Sequence, residues 1–301
     1  DLEGVNTAEV TSGDFTAEAS ATVSITDPNN QPGTITIVAD DEFDGSELFP
    51  FSGDLGNFNL VDDSTDGSTI KVNFQSETGV APNGYAADFG EAYGGRGNGL
   101  TYGWISTVDG TPLSLVGQGR NRNTSQTDPL LESTIHMEHP STPPTGFWEI
   151  ELPNGIYEVT VAVGDASAGS DPEVHRVNGE GVNIVNDFVP SGGNGSNSRH
   201  TTGTATIVVS DGKLTLDYLG GGVNTKLNYV EIKPLNTITF EQVLPGSYDV
   251  TAAVPLSWNL LRIECTESVT NNSVVSAIDG LATINLDSAE NVVCTFVYNN
   301  D

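Results

Sequence analysis

The sequence predicts an all-β protein. Three observations carry that expectation: 34 glycines and 15 prolines stand against a single methionine, apolar residues recur at every second position, and turn-forming residues separate those runs. Glycine and proline weaken helices and punctuate short strands, and alternation gives a strand one buried and one solvated face. At 301 residues and 31.6 kDa the chain is long enough for about two to three domains.

Taken in order, residues 7–11 and 19–25 read as two strands around Ser12-Gly13-Asp14. A lone hairpin has too little apolar face to offset its chain entropy, so this arm is expected to dock on its own chain or on a neighbouring subunit. Trp148, Ile150 and Leu152 alternate with Glu149 and Glu151, and Pro153-Asn154-Gly155 leads into Tyr157, Val159, Val161 and Val163, which predicts a hairpin. A second hairpin is predicted from residues 206–209 through Asp211-Gly212 to Leu214, Leu216 and Tyr218. A third is predicted from Ile238 and Phe240 through Leu244-Pro245-Gly246 to Tyr248 and Val250.

Charge divides the chain. Residues 1–65 hold 14 acids and no Lys or Arg, residues 66–234 hold 19 acids and nine of the ten bases, and residues 235–301 have Arg262 as their one base. All four histidines, His136, His139, His175 and His200, fall in the middle segment. Two flanks of like composition around a different centre suggest an inserted domain.

Residues 34–38, the acidic loop through Asp44-Gly45 and residues 49–58 resemble the opening strands of prealbumin-like, Cna-B-type modules of bacterial surface proteins. Residues 237–240, 244–251, Trp258, Cys265 and 291–296 resemble the closing strands of the same module. Between them, Val72-Asn73-Phe74-Gln75, Tyr85 to Asp88, Tyr93, Arg96, Tyr102-Gly103-Trp104, Arg120-Asn121-Arg122, His136-Met137, residues 148–165, 175–182 and 224–232 resemble a bacterial malectin-like carbohydrate-binding domain. The resemblances imply an immunoglobulin-like β-sandwich at 33–65 and 235–301 and a malectin-like jelly roll at 66–234 inserted in it; residues 1–32 belong to neither likeness and read as a β arm, similar to the closing hairpin of another repeat in surface proteins. The resemblances also imply a sugar site in loops at one end of the jelly roll or on one of its faces.

A sugar site needs exposed rings against the C–H faces of a pyranose, and carboxylates, amides or Arg forks on its hydroxyls. Tyr93, Tyr102 and Trp104 lie among glycines and would supply the rings; the competing reading packs Tyr102 and Trp104 in the core. Trp148 alternates with Ile150 and reads as structural. Arg120 and Arg122 would share one side of an extended strand and offer two planar forks, or pair with carboxylates such as Asp128 or Asp165. Asp165 and His175 flank successive strands and would meet at one loop end.

Metal and covalent chemistry are read more sparsely. His136 and His139 suit zinc only on a helix, which Pro140, Pro143 and Pro144 oppose. Asp40, Glu42 and Asp44 have the spacing of a calcium loop, but its twelfth position is Phe51, so a solvated acidic turn is the default over structural calcium. No other cofactor is expected. Cys265 and Cys294, 29 positions apart, are expected to form a disulfide in an oxidising space, with two buried thiols as the alternative.

The remaining classes are narrowed by absence of pattern. No nucleophile elbow, phosphate-cradling loop or His-Glu-x-x-His run is present, and any pair among 41 acids is unspecific, so no enzyme is expected. A net charge of -31 opposes binding to nucleic acid or anionic lipid. The longest apolar runs fall far short of the ~20 residues that cross a bilayer. The chain opens Asp1-Leu2-Glu3-Gly4 with neither a basic start nor an apolar stretch, as expected of a mature or excised segment. The expectation is an extracellular, bacterial surface or filament protein that displays a carbohydrate-binding domain and self-associates through residues 1–32, or else a structural subunit or spacer that binds no sugar.

Overall fold

Alternation is realised as strands throughout the described residues, among which the one helical turn is a 3-10 turn at Asn197–Arg199. The computed structural model describes residues 2–12, 15–25, 27–41, 47–61, 69–124, 128–139, 144–169 and 171–300, with the backbone alone for 2–12, 15–25 and 41. The strands are β1 (Leu2–Ser12), β2 (Phe15–Ile25), β3 (Gly33–Asp41), β4 (Leu48–Gly53), β5 (Phe58–Val61), β6 (Ile70–Phe74), β7 (Ala86–Asp88) and β8 (Gly94–Gly95). They continue with β9 (Thr101–Ser106), β10 (Gly119–Asn121), β11 (Ser133–His136), β12 (Gly146–Glu151), β13 (Gly155–Gly164), β14 (His175–Gly179), β15 (Val182–Phe188) and β16 (His200–Val209). The last are β17 (Lys213–Asp217), β18 (Lys226–Pro234), β19 (Thr237–Val243), β20 (Gly246–Ala252), β21 (Asn259–Glu267), β22 (Val274–Ser276), β23 (Leu281–Leu286) and β24 (Asn291–Asn299).

These strands gather into two compact units, one holding β1–β4 and β19–β24 and the other running from Phe58 to Asn236. In the first unit, β19-β3-β24-β21 form one sheet and β22-β23-β20-β4 lie in order in another. The pairing of β3 with β24 is parallel and sets Ile37 opposite Cys294 and Ala39 opposite Phe296. A parallel pair needs a long connection, and here that connection contains the entire second unit. Phe49 of β4 stacks on Tyr298 of β24 at 4.0 Å, and Phe51 meets Phe296 edge-on at 5.0 Å, so the two sheets close on an aromatic core. Cys265 and Cys294 face each other across β21 and β24 and form a disulfide.

The second unit is a larger sandwich. One sheet runs β10-β11-β18-β13-β16, with β6 sharing an edge of β18 and β7 paired to β6; the other runs β15-β14-β17-β12-β9-β8. Trp104, Trp148 and Phe74 fill the space between them. The unit takes in Phe58–Val61 as well: the Val61 N–H donates to the Leu235 carbonyl, and the Asn59 amide reaches the Asn154 carbonyl at 2.7 Å. Its boundary therefore falls earlier than the change in charge at residue 66.

All three predicted hairpins are corrected by the sheet order. β12 and β13, β16 and β17, and β19 and β20 are consecutive strands, but each pair is divided between two sheets. The turns are arches over the edge of a sandwich, so the apolar faces of the two strands meet through the core and not side by side. Two arches are latched in the same way: the Tyr157 hydroxyl donates to the Pro153 carbonyl at 2.8 Å, and the Tyr248 hydroxyl to the Leu244 carbonyl at 2.7 Å. The predicted arm is present as β1 paired antiparallel to β2, a two-stranded sheet of its own.

Candidate functional site

Five strand ends converge in the second unit. β13 ends at Gly164, opposite His200 where β16 begins; β14 begins at His175, opposite Phe188 where β15 ends; β18 begins at Lys226. Asp165 just after β13, Glu173 just before β14, Arg199 just before β16 and Lys226 at the start of β18 close with Arg122, which follows β10, into a buried ionic network. Arg122 lays its guanidinium fork on Asp165, Nε to Oδ1 at 2.7 Å and Nη2 to Oδ2 at 2.5 Å. Lys226, 2 % exposed, places Nζ 3.4 Å from Asp165 and pairs with Glu173. Arg199 donates from Nη2 to Glu173 at 2.8 Å and from Nε to the Asp165 carbonyl at 2.6 Å.

Buried charges persist only when paired and hydrogen-bonded, and this network is arranged so that they are. Burial alone would raise the Asp165 carboxyl, but the Arg122 hydrogen bonds and the Lys226 charge hold it down at about 2. Burial, then the neighbouring Lys226, pushes His175 down to about 3, so its imidazole is neutral at ordinary pH. Its Nδ1 accepts the Lys226 backbone N–H at 3.3 Å. Burial likewise lowers His200.

The structure brings Arg122, Asp165 and His175 together, yet hides Asp165 and His175. They are therefore corrected from ligand contacts to the frame behind a surface. Tyr102 and Trp104 are also corrected: both are core residues, 1 % and 0 % exposed. The Tyr102 hydroxyl donates to the Ala87 carbonyl, and the indoles of Trp104 and Trp148 both donate to buried Asp88 at 2.9 Å. Glycine-rich flanks of a ring do not expose it when the ring itself lies on a central strand.

The other candidates are dispersed. Tyr93 lies under Lys213, whose Nζ is 4.5 Å from the ring centre and 2.9 Å from Glu149. Arg120 bends back onto the carbonyls of Gly117 and Gly119, so it does not form a double fork with Arg122. His136 bonds Asn224 through Nδ1 at 2.9 Å, and its ring lies 4.9 Å from that of His139. Among the described residues no three His, Cys, Asp or Glu side chains are grouped for a metal. Asp40 is exposed on β3; Glu42 and Asp44 lie outside the described residues, as do Pro140 and Pro143.

Beside the ionic network lies an open groove of about 430 Å³, lined by residues of β15 and β16 with Val189. Gly203 makes the close approach of these two edge strands feasible, because a Cβ there would fall 2.0 Å from the Ile184 carbonyl oxygen. Asn186, Asp187, Thr201 and Thr202 supply amide, carboxylate and hydroxyl groups, and Phe188 and Val189 an apolar floor. Arg176 Nη1 donates to Asn186 Oδ1 and to Asp187 Oδ1, each at 2.9 Å, and so fixes both side chains. Phe188 stacks on His175 at 6.2 Å, so the ionic network fixes the aromatic floor from behind. Sequence reasoning missed this groove; the polar pair Asn186-Asp187 interrupting an apolar run was its one visible signal.

No family model matches the chain, and no curated protein matches it. Among solved structures, protein YxiM of Bacillus subtilis is similar at 24 % identity over 56 % of this chain and 40 % of that one, with a TM-score of 0.36. A β-glucuronidase of Bacteroides uniformis is similar at 12 % identity over 75 % of this chain and 22 % of that one, with a TM-score of 0.37. A calcium-binding mutant of Bacteroides uniformis β-glucuronidase 2 gives 11 % identity, 78 % and 23 % coverage and a TM-score of 0.35. The chain thus spans 40 % of the first and under a quarter of the other two.

Proposed function

We propose that the second unit is a carbohydrate-binding domain that takes its ligand in the β15–β16 groove, and that the first unit is the scaffold displaying it on an extracellular, non-enzymatic surface or filament protein. The observation that carries this reading is the donor set of the groove. An amide, a carboxylate and two threonines surround an apolar floor at Phe188, the combination that suits alternating hydroxyl and C–H surfaces of a sugar ring. The resemblance to malectin-like domains supports the same ligand class. The Cys265–Cys294 disulfide supports an oxidising compartment, and no helix among the described residues is long and apolar enough to cross a membrane.

The test is a glycan array followed by calorimetry on the full chain. Phe188→Ala and Asn186→Ala are expected to weaken any saccharide found by roughly tenfold or more, an effect of the size of one lost contact. Silence toward every saccharide overturns the reading.

A second role is favoured by the arm. β1 and β2 pair with each other and, among the described residues, with no other strand. A two-stranded sheet is marginal in water, and strand addition to another copy would supply the missing neighbour. The scaffold is then also a polymer subunit. Light scattering of the full chain before and after deletion of residues 1–25 checks this, and a monomer in both cases defeats it.

A further inference from the structure

We infer that the strand receiving the arm is β22 of a second copy of this chain, which rests on the self-assembly reading just given. Among the described residues β22 is the last strand of its sheet and pairs with β23 alone. Exposed sheet edges are ordinarily protected by charged side chains, since an unpaired row of N–H and C=O groups templates strand addition. The two edges of the facing sheet have that protection: β19 carries Glu241, and β21 carries Arg262, Glu264 and Glu267. β22 does not. Residues 268–278 contain no charged side chain in a chain with 41 acids, and Val269, Val274, Val275 and Ile278 are 63 %, 65 %, 40 % and 99 % exposed.

The donor matches this edge in composition. Residues 19–25 of β2, Ala-Ser-Ala-Thr-Val-Ser-Ile, are also uncharged. β2 has β1 on one side, in register from Leu2 opposite Ile25 to Ser12 opposite Phe15, and leaves its other side for a third strand. In a molecule of net charge -31, copies repel one another at most surfaces. Pairing two uncharged segments avoids setting carboxylates opposite each other, a juxtaposition that destabilises cross-strand neighbours. The resulting contact is heterologous, donor arm on one copy to acceptor edge on the next, and propagates as an open chain of subunits where the rotation does not close.

The experiment uses the full chain with a photo-crosslinking amino acid at position 275, alongside Val275→Glu, its conservative partner Val275→Thr, and a chain lacking residues 1–25. Expected are a crosslinked species of twice the chain mass whose joined peptide maps within residues 1–25, an at least tenfold loss of assembly in Val275→Glu, unchanged assembly in Val275→Thr, and none in the truncated chain. Crosslinks mapping elsewhere, together with Val275→Glu assembling like the parent while the truncated chain stays monomeric, overturn β22 as the acceptor and leave self-assembly standing. A parent chain that is monomeric at every concentration overturns the self-assembly reading itself.

Discussion

Arg122 grips Asp165 with two parallel hydrogen bonds, 2.7 Å from Nε and 2.5 Å from Nη2, and so ties the loop after β10 to the end of β13. Planar bidentate pairing of this kind is not available to lysine. Arg122→Lys is therefore expected to behave nearly as badly as Arg122→Ala. Leaving Asp165 buried with only Lys226 and the Ser167 N–H should cost about 3 kcal/mol, within the range for breaking a buried pair. Urea unfolding followed by fluorescence of the second unit's tryptophans measures it; a change under 1 kcal/mol for Arg122→Ala contradicts the account.

The same carboxylate and Asp88 give opposite responses to acid. Asp165 is held near 2, below its unfolded value of 3.8, so its stabilisation is complete above 3.8 and is lost as pH falls toward 2, about 2 kcal/mol in all. Asp88 is raised by burial to about 6, against the opposing pull of the Trp104 indole, the Gly90 N–H and the Trp148 indole. Its contribution therefore grows as pH falls through 6 toward 3.8 and is withdrawn as pH rises, about 3 kcal/mol. The indole N–H resonances of Trp104 and Trp148 should titrate together with a midpoint near 6, while that of Trp258 stays flat. Flat Trp104 and Trp148 signals between pH 5 and 7 rule this out.

What the sequence made legible follows from what alternation encodes. Inward faces were readable: Val159, Val161 and Val163 are fully buried, as their spacing implies. The sheet each strand joins was not, because Pro153-Asn154-Gly155 and Asp211-Gly212 turn a chain equally well within a sheet or across a sandwich. Cys265 and Cys294 pair as expected. The candidate site was half legible. Asp165, His175 and Arg122 do meet, but Lys226 and Glu173, which bury them, stand in no local pattern with them. A lysine 2 % exposed is visible only once distant strands converge. Phe188 carries no signal of its own, because a single phenylalanine among valines reads equally well as core.

Glycine positions give a prediction for each unit. A Cβ on Gly203 would meet the Ile184 carbonyl oxygen at 2.0 Å, and one on Gly33 would meet the Glu290 carbonyl oxygen at 1.9 Å. Both obstacles are backbone, which cannot swing aside. Gly203→Ala should unseat β15 from β16 and abolish groove binding together with roughly 2 kcal/mol of stability in the second unit, and Gly33→Ala should cost the first unit a similar amount. Gly193 has open space where a Cβ would go, so Gly193→Ala is the neutral control. Differential scanning calorimetry reads all three.

The disulfide supplies the last prediction. Cys265 and Cys294 join neighbouring antiparallel strands, β21 and β24, with their Cα atoms 4.1 Å apart and a sequence separation of 29. Closing a loop of that length restrains the unfolded chain by about 3 kcal/mol. β24 is also the strand paired to β3 across the inserted unit, so its loss would loosen the one parallel contact that rejoins the two halves of the scaffold. Reduction, or a Cys265→Ala/Cys294→Ala double variant, should lower the melting temperature of the first unit by several degrees and leave that of the second unchanged. A drop shared equally by both transitions would mean that the units unfold as one, against the separate cores of Phe49 with Tyr298 and Phe74 with Trp148.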